Sequence, residues 1–180
     1  MPKPKPWKTL SSEVVYSNPW YYVRRDVVIQ PNGKQGEYNV VVRPPAVFIV
    51  ALDKKQNVHL INLFRYPIDQ YSIEIPAGGL EKEKPLAAAK RELQEETGLK
   101  AKKWKQLGKI QLANGFLNQC GYVFLAQELV QTQENEQIEE GIQGVMSVSL
   151  KQAFSLIDAG KITDAQTIAA LTMASRYLKK

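Results

Sequence analysis

The chain of 180 residues has little cysteine and little histidine, with one of each. The single cysteine, Cys120, excludes an internal disulfide framework and fits a reducing cytoplasm. It has no evident histidine partner, so thiol-based nucleophilic chemistry is not expected. The single histidine, His59, occupies an alternating position in an apolar stretch, which favours a structural role over a catalytic one.

Long apolar runs are also missing. No stretch reaches the roughly 18 apolar residues of a membrane helix. The N-terminus, Met1–Lys8, alternates proline with lysine and lacks the apolar region of a secretory signal. We therefore expect a cytoplasmic protein with a flexible tail over residues 1–10 and one folded domain over residues 11–180.

Acidic residues are outnumbered by basic ones, 18 against 24, which gives a formal net charge of +6. The lysines are scattered over Lys3–Lys8, Lys100–Lys105 and Lys179–Lys180 and do not form one run. A nucleic-acid partner is therefore disfavoured. A small polyanionic substrate explains the positive charge equally well.

The sequence does contain a helix with a defined start and stop, within Glu83–Leu99. Pro85 suits the first helical position, because its missing N–H would have no partner there. Gly98 suits the position after the last turn, where helices often adopt a left-handed conformation. Between them a narrow apolar stripe recurs at helical spacing, formed by Leu86, Ala89, Leu93 and Thr97.

Three carboxylates crowd another side of this helix. Glu92, Glu95 and Glu96 lie three and four residues apart, so their like charges repel unless a positive group lies among them. Mg²⁺ binds carboxylate oxygens and would relieve the repulsion. The alternative is a solvated acidic face on which Lys90 and Arg91 are ordinary partners.

The surrounding residues favour the metal. The run Arg91–Leu99 (RELQEETGL) resembles the second half of the Nudix box, and Glu83 stands eight residues before Arg91, as the family pattern requires. Pro76–Leu80 (PAGGL) resembles the loop that leads into the box. One feature departs from the pattern: the family glycine should lie six residues before Glu83, where this chain has Ala77, so the loop is one residue short.

The resemblance implies both a fold and a chemistry. The fold is an α/β/α sandwich with a mixed sheet, preceded by an N-terminal antiparallel hairpin over residues 11–44. The chemistry is hydrolysis of a nucleoside diphosphate linked to another moiety, assisted by Mg²⁺ or Mn²⁺. The implied metal ligands are Glu92, Glu95, Glu96 and Ala77, and Arg91 would orient the carboxylates.

The chain resembles the ADP-ribose pyrophosphatase branch of the family, in which the general base often comes from a later loop. Glu136 matches that position best within the acidic segment Gln131–Glu140, and Glu134 and Glu139 are alternatives. A box glutamate, Glu95 or Glu96, could instead act with the metal alone.

The rest of the chain reads mainly as strands. Periodicity and turn residues predict a hairpin of Trp20–Gln30 with Glu37–Arg43, then strands at Ala46–Leu52, His59–Phe64, Tyr71–Ile75, Trp104–Leu112, Gly121–Ala126 and Val145–Val148. Two capping-box patterns, Ser149 with Gln152 and Thr163 with Gln166, predict helices over Leu150–Ala159 and Asp164–Tyr177. The last helix should pack through Ile168, Leu171 and Leu178.

Further segments resemble the ADP-ribose pyrophosphatase branch of the family. The resemblance implies substrate contacts from Arg65 and Arg43, since arginine makes paired hydrogen bonds to phosphate. It also implies that Trp20 and Tyr38 hold a base between their rings, and that the hairpin forms a homodimer with a second copy of the chain. The branch carries a proline sixteen residues after Gly98 as a marker of ADP-ribose hydrolysis, and this chain has Asn114 there.

Several function classes therefore remain. We expect hydrolysis of ADP-ribose to AMP and ribose 5-phosphate, with a GDP-hexose or another nucleotide sugar as the alternative substrate because of Asn114. An RNA-end pyrophosphohydrolase is favoured only by the positive charge. A non-catalytic nucleotide-binding module would usually have lost box glutamates, which this chain retains.

Overall fold

The computed structural model describes residues 6–132 and 134–179. The chain divides into two compact units. The first unit comprises Met1–Pro44 and Gln111–Cys120, and the second comprises Pro45–Ile110 and Gly121–Lys180. None of the helices in the described residues is long and apolar enough to cross a membrane.

The first unit is a four-stranded sheet in the order β1-β2-β3-β9. The predicted hairpin forms from β2 (Tyr22–Ile29) and β3 (Gln35–Val42), which pair antiparallel. Gly33 in the connecting turn has a φ of +82°, a conformation that favours glycine. The two-residue strand β9 (Leu117–Asn118) adds parallel to β3.

The strand β1 (Lys8–Ser17) was not predicted, and it pairs antiparallel with β2. All ten of its residues are exposed, so it has no buried face to give the sequence a clear period of two. The predicted tail over residues 1–10 is therefore too long at its C-terminal end. Residues 1–5 of that tail lie outside the described residues.

The second unit contains a seven-stranded mixed sheet in the order β11-β5-β4-β10-β8, with β6 beside β5 and β7 beside β4. β4 runs parallel to β10 and antiparallel to β5 and β7. The strands are β4 (Ala46–Leu52), β5 (Asn57–Arg65), β6 (Gln70–Glu74), β7 (Ala77–Gly79), β8 (Leu99–Gln111), β10 (Cys120–Gln131) and β11 (Ile142–Ser149).

Helices cover this sheet. They are α1 (Pro85–Thr97), α2 (Leu150–Asp158) and α3 (Ala165–Leu178), with a short 3₁₀ turn at Tyr66–Ile68. Every residue of β4 is buried, and both α1 and α3 contact this strand. On one face of β4, Val47, Ile49 and Ala51 pack against Ala88, Ala89 and Leu93 of α1. The predicted α/β/α sandwich with a mixed sheet is confirmed.

The helix ends match local signals, with one exception. Pro85 opens α1, and Gly98 ends it with a φ of +67°. The capping box of Ser149 begins α2 as predicted. The second capping box is wrong, because Asp164 and not Thr163 caps α3, with its carboxylate accepting a hydrogen bond from the N–H of Thr167. Aspartate is at least as good an N-cap as threonine, so the later residue takes the position.

Candidate active site

The acidic side of α1 lies against the strand β7. Glu92 and Glu96 are only 7% and 4% exposed. The N–H of Ala77 donates a hydrogen bond of 2.8 Å to Oε2 of Glu96. One residue further on, a Cβ at Gly78 would overlap the carboxylate of Glu92. Glycine is therefore required at residue 78 for this close approach. Gly78 stands one residue after Ala77, the position at which the family pattern predicts the glycine.

Arg91 links the first glutamate of the motif to the helix. Its Nη2 and Nε donate to Glu83 at 2.8 and 3.1 Å, and its Nη1 donates to Glu95 at 2.7 Å. Nη1 also lies 2.9 Å from Oε1 of Glu92. Glu83 thus reaches Arg91 despite the short loop. One guanidinium thus contacts three carboxylates, and its role in orienting metal ligands stays a prediction.

Burial makes two of these carboxylates reluctant to ionise. Loss of solvent raises the pKa of Glu92 to about 7 and the pKa of Glu96 well above its ordinary value, and the charge of Glu140 adds to both effects. A bound cation would favour the charged form of both groups. The chemistry of this donor set therefore fits a hard divalent cation.

In the described part of the chain, no group of three or more aspartate, glutamate, histidine or cysteine side chains is arranged to hold a metal ion. Arg91 holds Glu95, and the N–H of Ala77 occupies one oxygen of Glu96. Each carboxylate has further lone pairs beyond those used here. Arg91 links Glu92 with Glu95, and Glu96 bonds to Ala77, so the predicted ligands are joined in pairs and their binding of a metal stays a prediction.

The acidic segment that follows β10 docks onto the C-terminal end of α1. The N–H of Glu136 donates to the carbonyl of Glu95 at 2.8 Å, and the N–H of Thr132 donates to the carbonyl of Gly98 at 2.7 Å. Carbonyls at a helix end have no partner within the helix, so these bonds satisfy them. A cavity of about 510 Å³ lies here, lined by Arg91, Gln94, Glu95, Glu134, Asn135 and Glu136.

The candidate bases on this segment have different surroundings. Glu136 lines the cavity beside Glu95, whereas the carboxylate of Glu134 accepts a hydrogen bond of 2.8 Å from Gln94. Glu139 is exposed and is not among the residues that line this cavity. Sequence reasoning missed Glu140, whose charge acts on both Glu92 and Glu96. Nothing in the doublet Glu139–Glu140 distinguishes its two members by sequence.

Arg65, a predicted substrate contact, pairs with Glu74. Its Nε and Nη2 donate to the two oxygens of Glu74 at 2.9 and 2.6 Å. The side chain of Arg65 remains 42% exposed, so it is not enclosed by the pair. Its contact with a substrate stays a prediction.

The first unit holds the remaining predicted residues. Tyr38 lies opposite Asp26 in the hairpin, and Trp20 precedes Asp26 by six positions in the sequence. The joint contact of Trp20 and Tyr38 with a base stays a prediction. Arg43 follows Val42, the partner of Tyr22, and so lies at the Trp20 end of the hairpin.

Tyr38 has surroundings of its own in the first unit. Its hydroxyl donates to the carbonyl of Gly115, and its ring meets Trp7 edge-on with centroids 5.5 Å apart. A cavity of about 430 Å³ adjoins it, lined by Tyr38, Val40, Gln111, Asn114, Phe116, Leu117 and Asn118.

The fold and the glutamates of α1 agree with a match to a known family of hydrolases. The NUDIX domain profile matches residues 42–171, and that of the nucleoside diphosphate sugar hydrolase N-terminal domain matches residues 7–41. The chain belongs to the Nudix family and is a Nudix hydrolase.

Known proteins resemble the chain over most of its length. It is 35% identical to the ADP-ribose pyrophosphatase of Bacillus subtilis (strain 168), over 91% of this chain and 90% of that protein. It is 27% identical to the GDP-mannose pyrophosphatase of Enterobacter sp. (strain 638), over 84% and 86% of the two chains. A crystal structure described as an ADP compounds hydrolase shares the fold, with a TM-score of 0.86, 21% identity and coverage of 99% and 97%.

Proposed function

We propose that this enzyme hydrolyses the pyrophosphate bond of ADP-ribose, a nucleoside diphosphate sugar, to give AMP and ribose 5-phosphate. The observation that carries the proposal is the side of α1 on which Arg91 fixes Glu83, Glu92 and Glu95 beside the buried Glu96. The similarity to the Bacillus subtilis ADP-ribose pyrophosphatase supports this substrate. We place the reaction in the cytoplasm, in keeping with the single cysteine.

The proposed roles within the second unit follow from the contacts. Glu92, Glu95 and Glu96 would hold Mg²⁺, or Mn²⁺ in its place, and a backbone oxygen of Ala77 could complete the set. When bound, such a cation lowers the pKa of water and neutralises charge on phosphate oxygens. Arg91 keeps the carboxylates in place.

The water that attacks phosphorus must lose a proton as its P–O bond forms and the bridging P–O bond breaks. We assign Glu136 as the acceptor of this proton, because it lines the cavity beside Glu95. Glu134 is less suited to this role, since Gln94 already occupies one of its oxygens.

The proposed substrate contacts are given for each unit by itself. We propose that Arg65 contacts the phosphates with the part of its guanidinium that Glu74 leaves exposed. Tyr38 would stack on the base in the first unit. Trp20 and Arg43 lie at the other end of the hairpin, so a two-fold homodimer would let them serve the site of the second copy.

A GDP-hexose is the second candidate substrate. Asn114 replaces the proline expected for ADP-ribose hydrolysis, and it lines the Tyr38 cavity together with Gln111 and Asn118. These amides offer both donors and acceptors to a base edge. The similarity to the GDP-mannose pyrophosphatase also favours this alternative.

A panel of substrates with Mg²⁺ tests the proposal. The purified protein is incubated with ADP-ribose, GDP-mannose and an RNA carrying a 5′-triphosphate, and the products are separated by chromatography. We expect AMP and ribose 5-phosphate from ADP-ribose, with kcat/KM at least tenfold above that for the other two. A preference for GDP-mannose would replace the substrate, and turnover of RNA alone would reject the nucleotide-sugar assignment.

The Glu96→Gln variant tests the site itself. Loss of a buried charged oxygen should lower kcat by at least 100-fold and weaken Mg²⁺ binding, while the fold persists because the amide can still accept from Ala77. The matched control is Glu128→Gln, at an exposed position of β10. Near-normal activity of Glu96→Gln would show that α1 does not carry the metal.

A further inference from the structure

A buried threonine of α3 contacts the segment that leads into the site. Oγ1 of Thr167 accepts a hydrogen bond of 3.1 Å from the N–H of Ile75. Thr167 is 0% exposed and Ile75 is 1% exposed, so water does not reach either group. Ile75 directly follows β6, whose ladder with β5 ends at Glu74. Thr167 therefore supplies a partner to a backbone N–H that the sheet has released.

The residues after Ile75 are held at successive positions. The carbonyl of Pro76 accepts from the N–H of Ile49 at 2.9 Å, and the N–H of Ala77 donates to Glu96 at 2.8 Å. Gly78 then lies so close to Glu92 that even a Cβ would not fit. A small displacement at Ile75 would be passed to Ala77 and Gly78, and so to the two buried carboxylates.

Thr167 is itself fixed by the start of its helix. The N–H of Thr167 donates a hydrogen bond of 2.7 Å to Oδ2 of the cap residue Asp164. The threonine is thus bonded on both sides, to the cap of α3 and to the entrance of β7. The two bonded residues, Ile75 and Thr167, are 92 positions apart in the sequence.

We infer that Thr167 is a positioning residue for the hydrolytic site, whose hydroxyl fixes the backbone of Ile75 and thereby the placement of Ala77 and Gly78 against Glu96 and Glu92. The inference rests on the proposed function in assigning those two glutamates to the metal. In the described part of the chain, Thr167 makes no hydrogen bond to either glutamate, so we expect its effect to pass through the Ile75–Gly78 backbone.

The test compares Thr167→Val with Thr167→Ser in the full-length protein. Valine has nearly the same shape but cannot accept the hydrogen bond, whereas serine can. Since a misplacement of about 1 Å can cost about 100-fold in rate, we expect Thr167→Val to lower kcat by about 10- to 100-fold with KM changed less than about threefold. Thr167→Ser should restore kcat to within about threefold of wild type.

Two further readouts do not depend on turnover. Calorimetric titration of Mn²⁺ into metal-free protein should show weaker binding to Thr167→Val, by about tenfold, and wild-type binding to Thr167→Ser. The ¹⁵N–¹H resonance of Ala77 should shift in the valine variant alone. Thr172→Val is the matched control, because the Thr172 hydroxyl bonds only within α3, to the carbonyl of Ile168.

Each outcome decides the inference. Thr167→Val with kcat, Mn²⁺ affinity and the Ala77 resonance like those of Thr172→Val would overturn it, even if the melting temperature falls. Equal losses in Thr167→Val and Thr167→Ser would also overturn it, since the hydroxyl would then not be the cause. If the valine variant does not fold, Thr167→Ala takes its place against serine. A wild-type protein without hydrolase activity would reject the proposed function, while the Ala77 resonance would still test the role of Thr167.

Discussion

At Gly78 the absence of a side chain has a direct chemical use. The Glu92 carboxylate fills the space that a Cβ would take, so the backbone and this carboxylate lie in close contact. The next glycine, Gly79, has no atom within 4 Å of an added Cβ. Two adjacent glycines of one strand thus differ completely in what an alanine would do there.

We predict that Gly78→Ala lowers kcat by about 100-fold or more, because the Glu92 carboxylate must swing away from its position. The carboxylate is the end of a flexible side chain, so the free energy of unfolding should fall by only about 1 kcal/mol. Steady-state kinetics and urea denaturation measure the two effects. Gly79→Ala is the control and should keep near-normal activity; equal activity of both variants would contradict the close approach.

The raised pKa of Glu92 predicts a pH effect on the metal-free protein. Its pKa rises from 4.5 to about 7 on folding, so the folded state binds the proton more tightly. This contribution to stability is complete below pH 4.5 and is lost as the pH rises through about 7. Urea denaturation in EDTA should show wild type losing on the order of 2 kcal/mol of unfolding free energy relative to Glu92→Gln between about pH 5 and pH 8. Parallel pH profiles for the two proteins would argue against a buried Glu92.

At the scale of elements, α1 carries the carboxylates and the segment after β10 completes its C-terminal end. The backbone bond from Glu136 to Glu95 joins the predicted base to the helix of the predicted ligands. Only one residue separates Glu134 from Glu136, yet Gln94 bonds to the carboxylate of Glu134, whereas Glu136 lines the cavity beside Glu95.

We predict that Glu136→Gln lowers kcat by about 10²–10⁴-fold, the usual size of a general-base contribution. KM and Mg²⁺ affinity should change little, unlike in the Glu96 variant. The controls are Glu134→Gln, Glu139→Gln and Glu140→Gln, each assayed for kcat, KM and metal binding. A large loss of kcat in one of these instead would move the base to that residue. No loss in any of the four would leave the water to the metal and a box glutamate.

At the scale of the whole molecule, β1 is an exposed strand that carries apolar side chains. Its ten residues are all exposed, and they include the apolar side chains of Leu10, Val14, Val15 and Tyr16. Within the described residues, β1 is also the edge strand of its sheet, and no strand pairs with its outer side. Exposed apolar surface at a sheet edge is typical of an interface.

We therefore predict a homodimer formed through the first unit. Light scattering at micromolar concentration should give the mass of two chains. Val14→Lys, at a residue that is 60% exposed, should shift the protein toward the monomer because it places a charge in the interface. Val130→Lys in the second unit, where the residue is 45% exposed, is the control and should remain dimeric. A fully active wild-type monomer would refute the prediction.

Signals that act within a few residues were readable in the sequence. Pro85 and Gly98 fixed the ends of α1, and the apolar run Ala46–Leu52 gave the buried central strand with its observed bounds. The glutamates of α1 are three and four positions apart, so helical geometry alone placed them on one side of the helix. The grouping of these carboxylates could be predicted for that reason.

The tertiary structure decided what depends on the path of the chain between distant residues. It placed Gly78 against Glu92 and joined Thr167 to Ile75 across 92 positions. It also paired β1, whose exposed residues carry no pattern, through backbone hydrogen bonds to β2. Periodicity and capping arise from neighbours along the chain, whereas these contacts arise from packing between elements, which a single sequence does not encode in any local pattern.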